Sequence, residues 1–207
     1  DDFHAGASTI DEAMNRIIIF HILTLRYHIF IKPSKMQVFQ KETFFLGKLL
    51  KGKNLHIPPE CIQKVRNWQV RTVKQLKTFI GFITYFSHHL PRWSDVRAPL
   101  DNAIKHAVPG KPLVLKEVDE AVRRAKELFL NYHSLQCFKQ DQQIIIDFDY
   151  SGRAVAIAIF QIPSEMRRNL IEKKQLRNQE RLIAFYSKKV PEHISKQGPS
   201  STKGEAH

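Results

Sequence analysis

The chain has 207 residues, with 33 Lys and Arg against 20 Asp and Glu, a net charge of +13 and a sequence pI near 9.8. Its apolar content of 43% is that of an ordinary globular protein, and the charge balance favours a polyanionic partner, nucleic acid before a membrane surface. The longest apolar run, Ile17 to Leu25, is broken by His21 and Thr24 and falls short of the roughly 18 residues of a membrane span, while Cys61 and Cys137 stand far apart, as core thiols of a reducing compartment.

The chain opens on two adjacent carboxylates, Asp1 and Asp2. Thr9 to Glu12 reads T-x-x-E, a capping box, and Met14, Ile17, Ile18, Ile22 and Leu25 follow at helical spacing. After Pro33, the stretches FFLGKLL and NLHI flank Lys51 to Lys53 and predict an apolar hairpin. Pro58 and Pro59 suit the first turn of a helix running to about Trp68. A second start signal, T-x-x-Q at Thr72 to Gln75, precedes the apolar face of Leu76, Phe79, Ile80, Ile83 and Phe86, and Pro91 ends that helix.

A short helix is predicted around Val96 to Ile104, and a longer one with Val118, Ala121, Val122, Ala125, Leu128 and Phe129 buried. The composition then changes to three strands, QIIIDFDYS, RAVAIAIFQ and RLIAFYS. The last two are separated by the charged segment Pro163 to Glu180, read as a solvated, partly helical insertion. His88 and His89 have no partner at ligand spacing and are read as helical-cluster residues, not a zinc pair.

In this order, the acidic pair, the capped helix, IKPSK, FFLG, the cluster LKTFIGFITYFSHHLP and an acid-led hairpin ending in Gln resemble the polymerase of gypsy-type LTR retrotransposons. Asp1 and Asp2 match that family's Tyr-x-Asp-Asp turn, and Pro33 and Lys35 its Leu-x-Pro-x-Lys-Cys segment. Phe45, Leu46 and Gly47 match its Phe-Leu-Gly strand, and Leu76, Phe79 and Gly81 its thumb Leu-x-x-Phe-x-Gly. Met36 stands at the family's Cys and Lys48 at its frequent His. No Tyr precedes Asp1, so the resemblance implies the downstream part of a longer Pol polyprotein.

The fold this implies is α+β. Residues 1–58 would end a reverse transcriptase palm sheet, 59–107 form the thumb helices, 108–140 a connecting helix, and 141–207 the N-terminal three strands of an incomplete RNase H-like domain. The implied chemistry is two-metal nucleotidyl transfer, with Asp1 and Asp2 as catalytic carboxylates holding Mg2+ ions about 3.5–4 Å apart and a third palm aspartate supplied from outside this sequence. Phe45, Leu46 and Gly47 correspond to a primer grip; read without the family they are a core hairpin with a glycine bulge. Lys64, Arg66, Arg71, Lys74 and Lys77 are, by the thumb resemblance, expected to meet phosphates; taken alone, such charges are more often a solvated face.

Near the C-terminus, Asp149, Ser151 and Gln161 match the family's RNase H stretch Asp-Ala-Ser-x-x-Gly-x-Gly closing with Gln, with Ala154 and Ala156 in place of its glycines. The resemblance gives Asp149 and Glu205 as the second pair of catalytic metal ligands, with Asp147 competing for the alignment. Both Mg2+ cages are incomplete in this sequence, which is therefore expected to be inactive alone. The implied partners are RNA or DNA template-primer, RNA–DNA hybrid and, for the parent enzyme, deoxynucleoside triphosphates. The implied setting is an intracellular particle. The alternative is a decayed or co-opted nucleic-acid-binding protein that has lost its metal cage.

Overall fold

The computed structural model describes residues 3–107, 115–151, 154–162 and 180–190. Asp1, Asp2, Glu205 and the insertion from Pro163 to residue 179 lie outside the described residues. The chain divides into two compact units, Asp1–Gly52 and Lys53–His207.

In the first unit, α1 (Ile10–Arg26) starts where its capping signal predicts. Thr9 Oγ1 accepts the Glu12 amide at 3.1 Å, and the Glu12 carboxylate reaches back to the Ser8 amide at 2.7 Å, one residue before the usual return contact. Phe3 stacks on Phe20 of this helix with centroids 4.3 Å apart. Much of the apolar surface of α1 is nevertheless uncovered: Ile18, Ile22 and Leu25 are more than half exposed. Strand β1 (Glu42–Phe45) pairs antiparallel with β2 (Lys48–Lys51). A turn at Gly52 and Lys53 lies where the sequence places one. A further turn splits FFLGKLL into two strands, with Leu46 at φ 47° and Gly47 at φ 66°. Two successive positive φ values are what a two-residue hairpin loop needs, so Gly47 is a turn residue and not a bulge.

In the second unit, β3 (Asn54–His56) pairs with a two-residue strand, β4 (Leu135–Gln136), that the sequence does not announce. Between them lie α2 (Pro59–Asn67), α3 (Val73–Tyr85), α4 (Trp93–Lys105) and α5 (Leu115–Leu130). The capping box at Thr72 and Gln75 is complete, each side chain bonding the other residue's amide. Leu76, Phe79, Ile80 and Ile83 then fall on one side of α3, which is why that side is buried in one core with Trp93 and Leu100 of α4 and Val122, Ala125 and Phe129 of α5. Helix α4 begins at Trp93, three residues before the predicted start.

Beyond α5, β5 (Gln143–Tyr150), β6 (Ala154–Ile162) and β7 (Arg181–Lys189) form an antiparallel sheet in the order β5-β6-β7. The β6–β7 register slips between Ile159 and Phe160. Gln161 is fully buried, and its amide accepts the Lys139 N–H at 2.9 Å and donates to the Lys139 carbonyl at 2.6 Å, clipping the entry to β5 onto β6. The burial of the described helices makes a direct prediction. Phe79→Ala is expected to lower the unfolding free energy of the second unit by about 3–5 kcal/mol, whereas Ile22→Ser on the uncovered side of α1 should change stability by less than about 0.5 kcal/mol. Urea unfolding followed by tryptophan fluorescence measures the first, and a loss below that range would mean Phe79 is not the core residue its burial implies.

Candidate nucleic-acid interface

Helix α3 turns its apolar side inward, which leaves Lys74, Lys77, Gly81 and Tyr85 exposed at the helical intervals that put them on one side. Gly81 is the unusual member. A glycine inside a helix is worth about 1 kcal/mol less than alanine, and a Cβ built at Gly81 would meet nothing within 4 Å. No packing demand of the described chain explains it. The backbone here is bare toward an open groove of about 270 Å³ lined by Lys77, Gly81 and Thr84 of α3 and Arg97 and Asp101 of α4, among others.

The far wall of that groove is held by side-chain bonds. Trp93 is buried, and its Nε1 donates to Thr84 Oγ1 at 3.1 Å, while the Thr84 hydroxyl donates to the Ile80 carbonyl at 2.7 Å. This ties the first turn of α4 to the last turn of α3 and sets Arg97 beside the groove, with its Nε on the Asp101 carboxylate at 3.0 and 3.2 Å.

Electrostatics separate the basic helices. On α5, Arg123 bonds Glu120 and Glu127, and Arg124 bonds Glu120. The hydrogen bonds from Arg123, then Arg124, bring the Glu120 carboxyl down to about 2. That helix therefore neutralises its own arginines. Helix α3, VKQLKTFIGFITY, contains no acid at all, so the charges of Lys74 and Lys77 have no compensating partner on their own helix.

The other basic residues named from the sequence fall differently. The Lys64 ammonium lies 4.7 Å from the Phe82 ring centre and 5.2 Å from that of Trp68, a cation–π clasp. Arg71 donates to the Gln69 side chain at 3.0 Å, and Arg66 is exposed, its carbonyl accepting from Lys126 Nζ at 3.2 Å. Gly81, Tyr85 and Arg97 are the members the sequence reading missed as a surface; the signal was a mid-helix glycine one turn after Lys77. Burial, then the Glu60 charge, pushes up the thiol of Cys61, which is half-buried against the core, whereas Cys137 is exposed and is not the core thiol the sequence reading makes it. His89 is buried with Nδ1 2.9 Å from the His133 carbonyl, and His88 Nδ1 lies 3.4 Å from that of Phe185, so both histidines join elements.

In the first unit, the tip of the β1–β2 hairpin carries Leu46 in the left-handed region, an uncommon place for a branched residue. The His4 ring lies 5.2 Å from that of Phe45, so the segment just after the acidic pair is anchored against the hairpin that carries the Phe-Leu-Gly residues. In the second unit, Asp149 lies on β5 with Oδ2 2.8 Å from Arg92 Nη1. Asp147 shares its side of the strand and is also exposed. Among the described residues no three His, Cys, Asp or Glu side chains converge to hold a metal ion. Among the described residues, Asp149 carries a guanidinium where the RNase H resemblance implies a divalent ion.

No family model matches the chain. It is 26% identical over 135 residues, 65% of its length, to the Transposon Tf2-3 and Tf2-4 polyproteins of Schizosaccharomyces pombe (strain 972 / ATCC 24843), and spans 10% of the length of each. Its fold matches solved structures of the foamy viral protease-reverse transcriptase. One, in complex with RNA/DNA hybrid, aligns at TM-score 0.73 and 15% identity over 92% of this chain and 24% of that one. Another, in complex with dsDNA, aligns at TM-score 0.76 and 16% identity over 95% of this chain and 38% of that one. The resemblance to a retrotransposon Pol fragment is borne out by these matches, as is the mixed helix-and-sheet fold of a reverse transcriptase.

The two kinds of lysine on the helical cluster are separable by stability alone. Lys64→Ala is expected to lower the unfolding free energy by about 0.5–1 kcal/mol through loss of its aromatic clasp, and Lys74→Ala to change it by less than about 0.5 kcal/mol. Equal effects in parallel urea titrations would contradict the assignment of Lys64 to the clasp.

Proposed function

We propose that this chain is the palm-end, thumb and following segment of the Pol polyprotein of a gypsy-type LTR retrotransposon, and that the Lys74–Lys77–Gly81 side of α3 follows the backbone of a template-primer duplex. The observation that carries the reading is Gly81. Its helix gives up about 1 kcal/mol, no described residue fills the space it leaves, and two lysines of an acid-free helix precede it on the same side. Close approach of another backbone is a principal use of glycine, and a phosphate backbone is what those charges suit. The fold neighbours solved with RNA/DNA hybrid and with dsDNA support the same partner class.

In this reading the thumb positions and the palm reacts. Residues 1–58 belong to the palm, 59–107 to the thumb, 108–140 to a connecting helix and 141–207 to an RNase H-like sheet. Asp1 and Asp2, with an aspartate from elsewhere in the parent, would hold Mg2+, which would supply charge neutralisation and orientation for nucleotidyl transfer from a deoxynucleoside triphosphate. Phe45, Leu46 and Gly47 press the primer end toward that centre from a hairpin tip, and Lys74 and Lys77 neutralise phosphates without reading sequence. The uncovered apolar side of α1 agrees with a segment built to pack on further parts of a longer protein. The competing reading, a co-opted binding protein without catalysis, shares the thumb surface. It separates from the first by whether the longer parent protein, with its upstream palm, extends a primer in Mg2+ and loses extension on Asp1→Asn.

The thumb surface is tested with the 207-residue chain and a fluorescent RNA–DNA hybrid. Affinity should fall steeply as salt rises, independent of sequence. Gly81→Ala is expected to raise the stability of the second unit by about 1 kcal/mol while weakening hybrid binding several-fold. A stabilised variant that binds as tightly as the wild type would remove Gly81, and with it the reading, from the interface.

A further inference from the structure

The start of α4 is irregular in a way local sequence does not explain. Arg92, the residue before the helix, sits in the left-handed region at φ 52° and ψ 34° and provides no side-chain cap. Asn or Gly are the usual occupants of that conformation, because a longer side chain gains nothing from it. Here the side chain is engaged elsewhere. Nε donates to Asp95 Oδ2 at 2.9 Å and Nη1 to Asp149 Oδ2 at 2.8 Å, so one guanidinium bridges the first turn of α4 and strand β5. Ser151, two residues after Asp149, donates its hydroxyl to Asp95 Oδ1 at 3.1 Å, so four side chains are linked in a row from Asp149 through Arg92 and Asp95 to Ser151.

Two further features align with this network. The cross-strand register sets Asp149 opposite Ala156 and Ala156 opposite Ser187, a row of three residues on one side of the sheet. At the far end of that row, Ser187 Oγ accepts the Ser94 amide at 2.9 Å and thereby caps α4 from β7. The small Ala156 in the middle leaves room for the helix start to approach. Helix α4 is thus begun by the sheet: one of its orphan amides is satisfied by β7 and its first-turn carboxylate is linked through Arg92 to β5.

We propose that Arg92 is a latch joining the helical cluster to the three-stranded sheet, and that Asp149 in this chain is the sheet's docking carboxylate and not a metal ligand. All three charged partners are partly exposed, with side-chain exposures of 48% for Arg92, 26% for Asp95 and 59% for Asp149. Exposed pairs are weak and screened by salt. The contact therefore suits a reversible clasp that sets how firmly the sheet follows the helices.

The test is hydrogen–deuterium exchange of the whole 207-residue chain, comparing peptides from β5 and β7 with peptides from α3. Arg92→Asn keeps a residue at ease in the left-handed region while removing the bridge. It is expected to speed exchange in β5 and β7 several-fold and leave α3 unchanged. Asp149→Asn should do the same, and the double variant no more than either single one. Wild-type exchange in Arg92→Asn, or effects of the two singles that add, would overturn the latch. Should Arg92→Asn unfold, which faster exchange in α3 would reveal, Arg92→Lys serves instead. It keeps the charge with only one contact, and an exchange rate between wild type and Asp149→Asn supports the latch while a wild-type rate overturns it. Mn2+ at substoichiometric concentration should leave the amide signals of residues 147–151 unbroadened, and site-specific broadening there would return Asp149 to the metal ligands.

Discussion

The packing of Phe79, Phe82, Phe86 and Phe129 fixes the rotation of α3 about its own axis, and the outward placing of Lys74, Lys77 and Gly81 follows from that rotation. Phe86 meets Phe129 edge-on at 5.6 Å, and Trp68 meets Phe79 at 5.7 Å and Phe82 at 5.3 Å. Such ring pairs add about 0.5–1.5 kcal/mol each beyond the area they bury, and they fix geometry as well as depth. With those rings inward, Lys74, Lys77 and Gly81 have only the outer side of the helix to occupy. A helix rotated by one residue would bury Lys77 or expose Phe79, and either would be far more costly than anything the surface gains.

A chain of charge +13 does not present its positive charge uniformly. Arginines on α5 are matched by acids one turn away, and Lys64 is held over two rings, so a simple count of basic residues overstates the surface offered to a polyanion. Among the helices of the second unit, α3 offers a short stripe of two lysines beside a glycine with no acid on the same helix. A stripe of this kind gives affinity without sequence preference, because phosphates are the same at every step of a duplex.

Where a structural decision is local, the sequence announces it. Thr9 with Glu12 and Thr72 with Gln75 mark two helix starts correctly, and the 3.6-residue spacing of Leu76, Phe79, Ile80 and Ile83 identifies the buried side of α3. Where the decision is tertiary, it is silent. Helix α4 starts at Trp93 because Ser187 and Arg92 reach it from distant or unusual positions; strand β4 is two residues long and exists by pairing distant Leu135 with Leu55 of β3. The hairpin tip at Leu46 was hidden because leucine rarely adopts the left-handed conformation found there. Among the candidate site residues, the lysines were legible as charge but not as partners: only the folded geometry separates Lys64 over its rings from Lys77 beside a groove. Asp149 was legible as a carboxylate leading a strand, while the guanidinium that engages it lies 57 residues earlier in the chain.

The central question is whether the outer side of α3 meets nucleic acid. Backbone amide chemical-shift mapping of the 207-residue chain, titrated with a short RNA–DNA hybrid at low and then moderate salt, addresses it residue by residue. Shifts that centre on Lys74, Lys77, Gly81 and Arg97, and that vanish together as salt rises, are the predicted result. Shifts centred on α5, with α3 silent, would contradict it.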